Sequence, residues 1–243
     1  MIQHHFMQQA TSKKMIVFLH GWCSQPIDFD SQVNFFKKDF SILCINYSDW
    51  IIYQSPHQQY FQRCLSEIKK CIAHYPAEEI ILVGHSMGGV MALHLASSFS
   101  AARCVVLDST LYQFSESEKS AFISALNAKN GLNALSEFIQ TLINPLYDDH
   151  ALFEKIKKEV TQTWLQASHA FNALLYEALL VEKESHVKKL HDRVLYIAAT
   201  PSRTDVKKLR AWNSTMHIAQ VNSGHYVMLT ASDVCNQLIY SFV

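Results

Sequence analysis

Residues 80–91 read IILVGHSMGGVM: an apolar run leads into Gly84-His85-Ser86-Met87-Gly88-Gly89, and a second apolar run follows at once. The first run has the pattern of a short strand buried on both faces, and MGGVMALHLASSF that of a helix rich in small residues. A serine in the pattern G-x-S-x-G at such a join sits on a tight strand-to-helix turn that strains its backbone. Residues two before and two after it must lack side chains if strand and helix are to approach, which accounts for both glycines. The turn exposes the Ser86 hydroxyl above a sheet. It also aims the Met87 N–H, at a helix N-terminus, towards any oxygen bound beside it.

Outward from this turn the same alternation continues. MIVFL (Met15 to Leu19), SILCINY (Ser41 to Tyr47), CVVLD (Cys104 to Asp108), VLYIA (Val194 to Ala198) and MHIAQV read as further strands. Phe29, Val33, Phe35 and Phe36 predict a helix between the first two strands. Tyr60, Phe61, Cys64, Leu65, Ile68, Cys71, Ile72 and Tyr75 predict a helical stripe that Pro76 ends. Six strands with helical crossovers predict an α/β fold with an open, mostly parallel sheet covered on both faces. Between Thr110 and Arg193 the alternation stops, and the segments SEKSAFISALNA, NALSEFIQTLI, HALFEKIKKEVTQTWL and HAFNALLYEALLVEK read as helices alone. The expected organisation is therefore a core of residues 1–110 and 191–243 with a helical insertion at 111–190.

The 243 residues suit one domain with an insertion, and 49% apolar with 17% charged residues is an ordinary globular composition. Lys plus Arg equals Asp plus Glu at 21 each, so no global field draws the chain to nucleic acid or an anionic membrane. The six cysteines lie in apolar stretches without C-x-x-C spacing and read as buried thiols. No secretory signal and no membrane-length apolar run is visible, which makes a cytoplasmic location the default expectation. With no metal-ligand cluster and no phosphate-cradling glycine loop, a mechanism free of metal and cofactor is expected.

In such sheets ligands bind beyond the carboxyl ends of the strands, so the polar residues there matter most: His20 to Trp22, Asp49, Ser86, Asp108, Ser202 to Asp205, and Gly224-His225. A serine hydroxyl is a poor nucleophile at neutral pH unless a base lies within hydrogen-bond reach, itself oriented by a third group. Of the 13 histidines, His225 in the loop NSGHYVML has the best context.

With His20-Gly21-Trp22, Gly84-His85-Ser86-Met87-Gly88-Gly89 and Ser223-Gly224-His225 in this order, the chain resembles the α/β-hydrolase family over nearly its whole length. The resemblance implies Ser86 as nucleophile, His225 as general base and then acid, and the N–H groups of Trp22 and Met87 as an oxyanion hole. It also implies that the helical block is a cap roofing the site. Two departures stand out. The short N-terminal segment predicts that the antiparallel hairpin opening the family's sheet is reduced or absent, and NYSDW stands where many members have an aspartate-x-proline-glycine turn.

The acid has two main candidates. After VLYIA, where members most often place it, ATPSRTDVKK has no acid at the usual spacing. Asp205 comes a few residues late and reads equally as a helix cap. Asp108, directly after CVVL, occupies the alternative position one strand earlier and is favoured; Asp49 ranks behind both.

The expected activity is hydrolysis of a small carboxylic ester or thioester through an acyl-enzyme, and a serine at the elbow excludes an aspartate-nucleophile mechanism. The alternatives are a slow or non-catalytic binding protein on the same scaffold, and a carbon-carbon bond hydrolase or haloperoxidase-like enzyme with the same triad. His20 and His85 are expected to be structural, Cys23 to be pocket wall, and Trp22 to line the pocket or simply belong to the core. The lysines at 155, 157, 158, 183, 188 and 189 are expected on solvated helix faces. Phe138, Tyr147, Phe153, Trp164, Phe171 and Tyr176 supply either an apolar pocket or the insertion's own core.

Overall fold

The computed structural model describes residues 2–9, 11–48, 59–127, 131–166 and 169–243. Its elements run β1 (Gln3–Met7), β2 (Lys14–Leu19), α1 (Asp30–Phe36), β3 (Ser41–Asn46), α2 (Tyr60–Ala73), β4 (Glu79–His85), α3 (Met87–Ala96) and β5 (Arg103–Leu107). Five helices follow: α4 (Glu116–Asn127), α5 (Gly131–Gln140), α6 (His150–Gln166), α7 (His169–Leu180) and α8 (Glu184–Leu190). The chain then closes with β6 (Val194–Ala198), α9 (Val206–Trp212), β7 (His217–Gln220), α10 (Val227–Thr230) and α11 (Ser232–Phe242).

The strands form one seven-stranded sheet in the order β1-β3-β2-β4-β5-β6-β7. β1 pairs antiparallel with β3, and every other pairing is parallel. One strand more is present than the apolar runs predict. β1, QHHFM, is half exposed at the sheet edge, so it carries no continuous apolar run to reveal it. The opening of the sheet is thus a single antiparallel strand.

The chain order places the site. From β2 it moves outward to β3, then returns to lay β4 on the other side of β2, so the order in which strands are added across the sheet reverses between β2 and β4 while their direction stays parallel. Such a switch point leaves a crevice at the carboxyl ends. β4 delivers Ser86 there and β2 delivers Gly21 and Trp22. Both strands are almost wholly buried. α3 is buried along its entire length against the sheet, which its small residues permit. α2 turns the predicted stripe inward, burying Tyr60, Phe61, Cys64, Leu65, Ile68 and Ile72. Five of the six free cysteines are buried, and Cys71 is half-buried.

The helical block follows the sequence segments, with one correction. The last predicted helix ends at Leu180 as α7, a further short helix α8 follows beyond the predicted segment, and Lys183 between them is not on a solvated face: it is 1% exposed. Its ammonium donates to the carbonyls of Leu179 (3.0 Å), Val181 (2.9 Å) and Tyr112 (3.4 Å). These include the carbonyls freed where α7 ends, which explains why a lysine turns inward there. Burial lowers its pKa to about 8. Among the described residues no helix is long and apolar enough to cross a membrane.

Candidate active site

The elbow has the strain that its sequence implies. Ser86 takes φ 53 and ψ −120, a conformation costing about 1–2 kcal/mol for a side chain with a Cβ. Hydrogen bonds hold it there: Ser86 N donates to Leu107 O at 3.0 Å, and its carbonyl accepts from Gly89 N (3.0 Å) and Ser109 Oγ (2.7 Å). Each glycine has its own reason. A Cβ on Gly84 would overlap the Gly88 carbonyl, where strand meets helix. One on Gly88 would overlap the carbonyl of Leu19, so that glycine admits the neighbouring strand β2 rather than β4. Gly89 leaves room for the Ser109 hydroxyl that anchors Ser86.

His225 lies in the loop after β7 and is buried, and its Nδ1 stands 2.8 Å from Asp108 Oδ2. Asp108 directly follows β5, at φ 42, and is fully buried. Its other oxygen, Oδ1, accepts from the backbone N–H groups of Ala199 (3.0 Å) and Arg203 (3.2 Å). The loop after β6, where the family's acid most often lies, therefore supplies donors to a carboxylate from the preceding strand. Asp205 is exposed and caps α9, accepting from Lys207 N at 2.8 Å and Lys208 N at 3.4 Å. Asp49 lies outside the described residues.

Burial lowers the His225 pKa below its ordinary value, the hydrogen bond and charge of Asp108 oppose the shift, and the Arg203 charge adds to it. His225 is thus poised as a neutral base near pH 7. Its backbone is fixed from three sides. His225 N donates to Leu142 O at 2.8 Å, and His85 Nε2 stands 3.0 Å from His225 O. Gly224 N donates to Asp148 Oδ1 at 3.1 Å, while Asp148 Oδ2 accepts from Asn144 N at 2.9 Å. His85 accordingly acts on the histidine loop's backbone. His20 is stacked on Tyr47, with its Nδ1 against Gly21 O at 2.8 Å, and burial lowers its pKa to about 4.

Ser86 and His225 line one cavity of about 350 Å³ between the sheet and the helical block. Ser86 Oγ makes no hydrogen bond among the described residues; such pairs often tighten only in the substrate complex. The loop after β2 crosses close to the serine, with a Cβ built on Gly21 only 3.3 Å from Ser86 Cβ. Met87 N, first in α3, has no partner within its helix. Trp22 lines the cavity, and its indole Nε1 donates to Asn172 Oδ1 of α7 at 3.1 Å, linking loop to block. Of the block's aromatics Tyr112, Phe114 and Phe138 reach the cavity, Phe138 edge-on to Trp22 at 6.2 Å, while Tyr147 is exposed at 40%. Cys23 is buried and has its thiol pKa pushed up by burial, in keeping with a wall residue. Among the described residues no three His, Cys, Asp or Glu side chains gather to hold a metal.

One feature has no sequence signal of its own: Asp148 clamps the histidine loop from 76 residues away in the chain. Arg203, within the polar stretch Ser202 to Asp205 that follows β6, lines the cavity beside His225.

A strained serine at a strand-to-helix turn, above the switch point of a parallel sheet and beside a histidine paired with a carboxylate, defines the class of serine-elbow α/β enzymes. The chain belongs to the alpha/beta hydrolase family, whose model matches residues 16–238. Solved structures agree in fold. A hydrolase from Pseudomonas aeruginosa PA01 superposes with TM-score 0.79 at 12% identity, covering 99% of this chain and 93% of that one. The enol-lactonase from Burkholderia xenovorans LB400 gives 0.76 at 12%, covering 99% and 96%. MenH from S. aureus gives 0.75 at 17%, covering 98% and 97%. No curated protein matches the chain.

Proposed function

We propose that this protein is a serine hydrolase of small carboxylic esters or thioesters. Ser86 Oγ attacks the carbonyl carbon while His225 Nε2 takes its proton. The N–H groups of Trp22 and Met87 donate to the resulting oxyanion. His225 then protonates the leaving alcohol or thiol, giving an acyl-enzyme. Water, deprotonated by His225, releases the acid and restores Ser86. Asp108 holds the imidazole with its proton on Nδ1 and stabilises the imidazolium as it forms. Helices α4 to α8 act as a cap that shapes the acyl pocket.

The observation carrying this reading is the 2.8 Å contact of His225 Nδ1 with Asp108 Oδ2, made beside a serine held at φ 53. A carboxylate buried that deeply and aimed at a loop histidine needs a reason, and orienting a catalytic base supplies one. Intact-mass measurement after treatment with a fluorophosphonate tests it. One adduct on the wild type, none on Ser86→Ala and loss of p-nitrophenyl acetate turnover in His225→Ala are expected. An unlabelled wild type with no ester turnover would remove the proposal.

A further inference from the structure

We infer that Arg203 is a carboxylate-binding group within the substrate cavity, so that the preferred ester carries a free carboxylate a few carbons from the scissile carbonyl. This rests on the hydrolase reading and narrows its substrate class. Trp22, Leu142, Leu175 and Leu179 give the cavity much of its apolar lining, and apart from the two histidines Arg203 is its one side chain of charged type among the described residues. It is three-quarters buried. A guanidinium has five N–H donors and keeps its charge in any such setting.

Its charge faces that of Asp108, but its protein partners leave most of its hydrogen-bonding capacity unfilled. Nη2 donates to the carbonyl of Thr141 at 2.5 Å, which fixes the plane of the group but is neutral. The nearest carboxylate among the described residues is Asp108, whose Oδ2 is 4.0 Å from Nε, too far for a hydrogen bond. Asp108 is moreover committed elsewhere, Oδ2 to His225 and Oδ1 to two backbone N–H groups. Nη2 also reaches the Thr141 hydroxyl, at a long 3.5 Å, and the Nε and Nη1 donors make no hydrogen bond among the described residues. A buried cation without a hydrogen-bonded counter-ion is costly, and a substrate carboxylate entering the cavity would form the charge-assisted pair the protein lacks.

The placement also ties binding to chemistry. As a positive charge near His225, Arg203 opposes formation of the imidazolium. A carboxylate seated on Arg203 offsets that opposition as the transition state develops, so a charged substrate gains in kcat as well as in KM.

The test compares two pairs of esters by NMR. Monomethyl adipate against methyl hexanoate places the carboxylate in the acyl part, and 4-acetoxybutanoate against butyl acetate places it in the leaving group. For at least one pair the charged ester is expected to have a kcat/KM about tenfold or more above its neutral partner. That ratio should fall at least about tenfold in Arg203→Met and be partly kept in Arg203→Lys, which retains charge but loses the fork. Circular dichroism checks folding; should Arg203→Met unfold, Arg203→Gln takes its place. Ratios at or below one for both pairs, with neutral esters still cleaved, overturn the inference and leave the hydrolase reading standing. If no ester is cleaved and no fluorophosphonate adduct forms, the hydrolase reading falls separately. Calorimetric titration of glutarate then decides the subsite: binding lost in Arg203→Met upholds it, and equal or absent binding overturns it.

Discussion

Replacing Asp108 by asparagine changes one atom of a fully buried side chain, and the surrounding hydrogen bonds dictate how the new amide must sit. Two backbone N–H groups, from Ala199 at 3.0 Å and Arg203 at 3.2 Å, point at Oδ1. An amide NH₂ in that position would face two donors, so the amide oxygen takes the Oδ1 place and the NH₂ takes that of Oδ2. It then confronts His225 Nδ1 across the 2.8 Å contact as a donor. The imidazole must accept there, which moves its own proton to Nε2, where it can no longer take a proton from Ser86. With fold and cavity intact, the wrong tautomer lowers kcat by about ten-thousand-fold, or about 5.5 kcal/mol of barrier. Asp205→Asn is the control. Asp205 is an exposed helix cap, and asparagine caps about as well, so kcat should change less than about twofold. The assay is steady-state kcat on p-nitrophenyl acetate for both variants and wild type, with near-ultraviolet circular dichroism as the check on folding. A folded Asp108→Asn within tenfold of wild type beside a crippled Asp205→Asn would refute the assignment of the acid.

Gly88→Ala drives a Cβ into the Leu19 carbonyl of β2, so the strand or the helix must move; a loss of about 3 kcal/mol or more is expected, seen as a fall in Tm of about 6–12 °C. Because burial holds the His225 pKa below 6.5, the base stays neutral below that value and the acid limb of the kcat/KM profile should have its midpoint under pH 6.5; a midpoint above 7 would contradict the environment described. His20, with its pKa lowered to about 4, and His94, lowered to about 3 by burial first, stay neutral in the fold where the unfolded chain takes up protons near 6.5. Stability is therefore retained above pH 6.5 and lost as the pH falls towards 4, His20 alone contributing about 3 kcal/mol by then. Thermal melts at pH 7, 6, 5 and 4 check this, and a flat Tm would be the contrary result.

Much of this protein is legible along the chain because its decisive signals are local. Continuous apolar runs mark strands buried on both faces, and G-x-S-x-G between such a run and a small-residue helix marks the elbow, since the steric demand for glycine falls within a few residues of the serine. His225 stands out for a similar reason, following a glycine in the loop after the last strand. β1 escaped because an exposed edge strand needs no apolar run. Lys183 read as solvated because nothing nearby in the chain announces the end of α7 and its freed carbonyls. What tertiary structure alone decided is which groups meet across the sheet. Asp108 reaches His225 over 117 positions of sequence, and does so because β5 and β7 flank β6 and carry both residues to the same end. The Asp148 clamp and the position of Arg203 in the cavity arise likewise from how the helical block packs over that end. Spacing can nominate an aspartate, but a 2.8 Å contact between distant residues depends on strand order and loop packing, which no local pattern encodes.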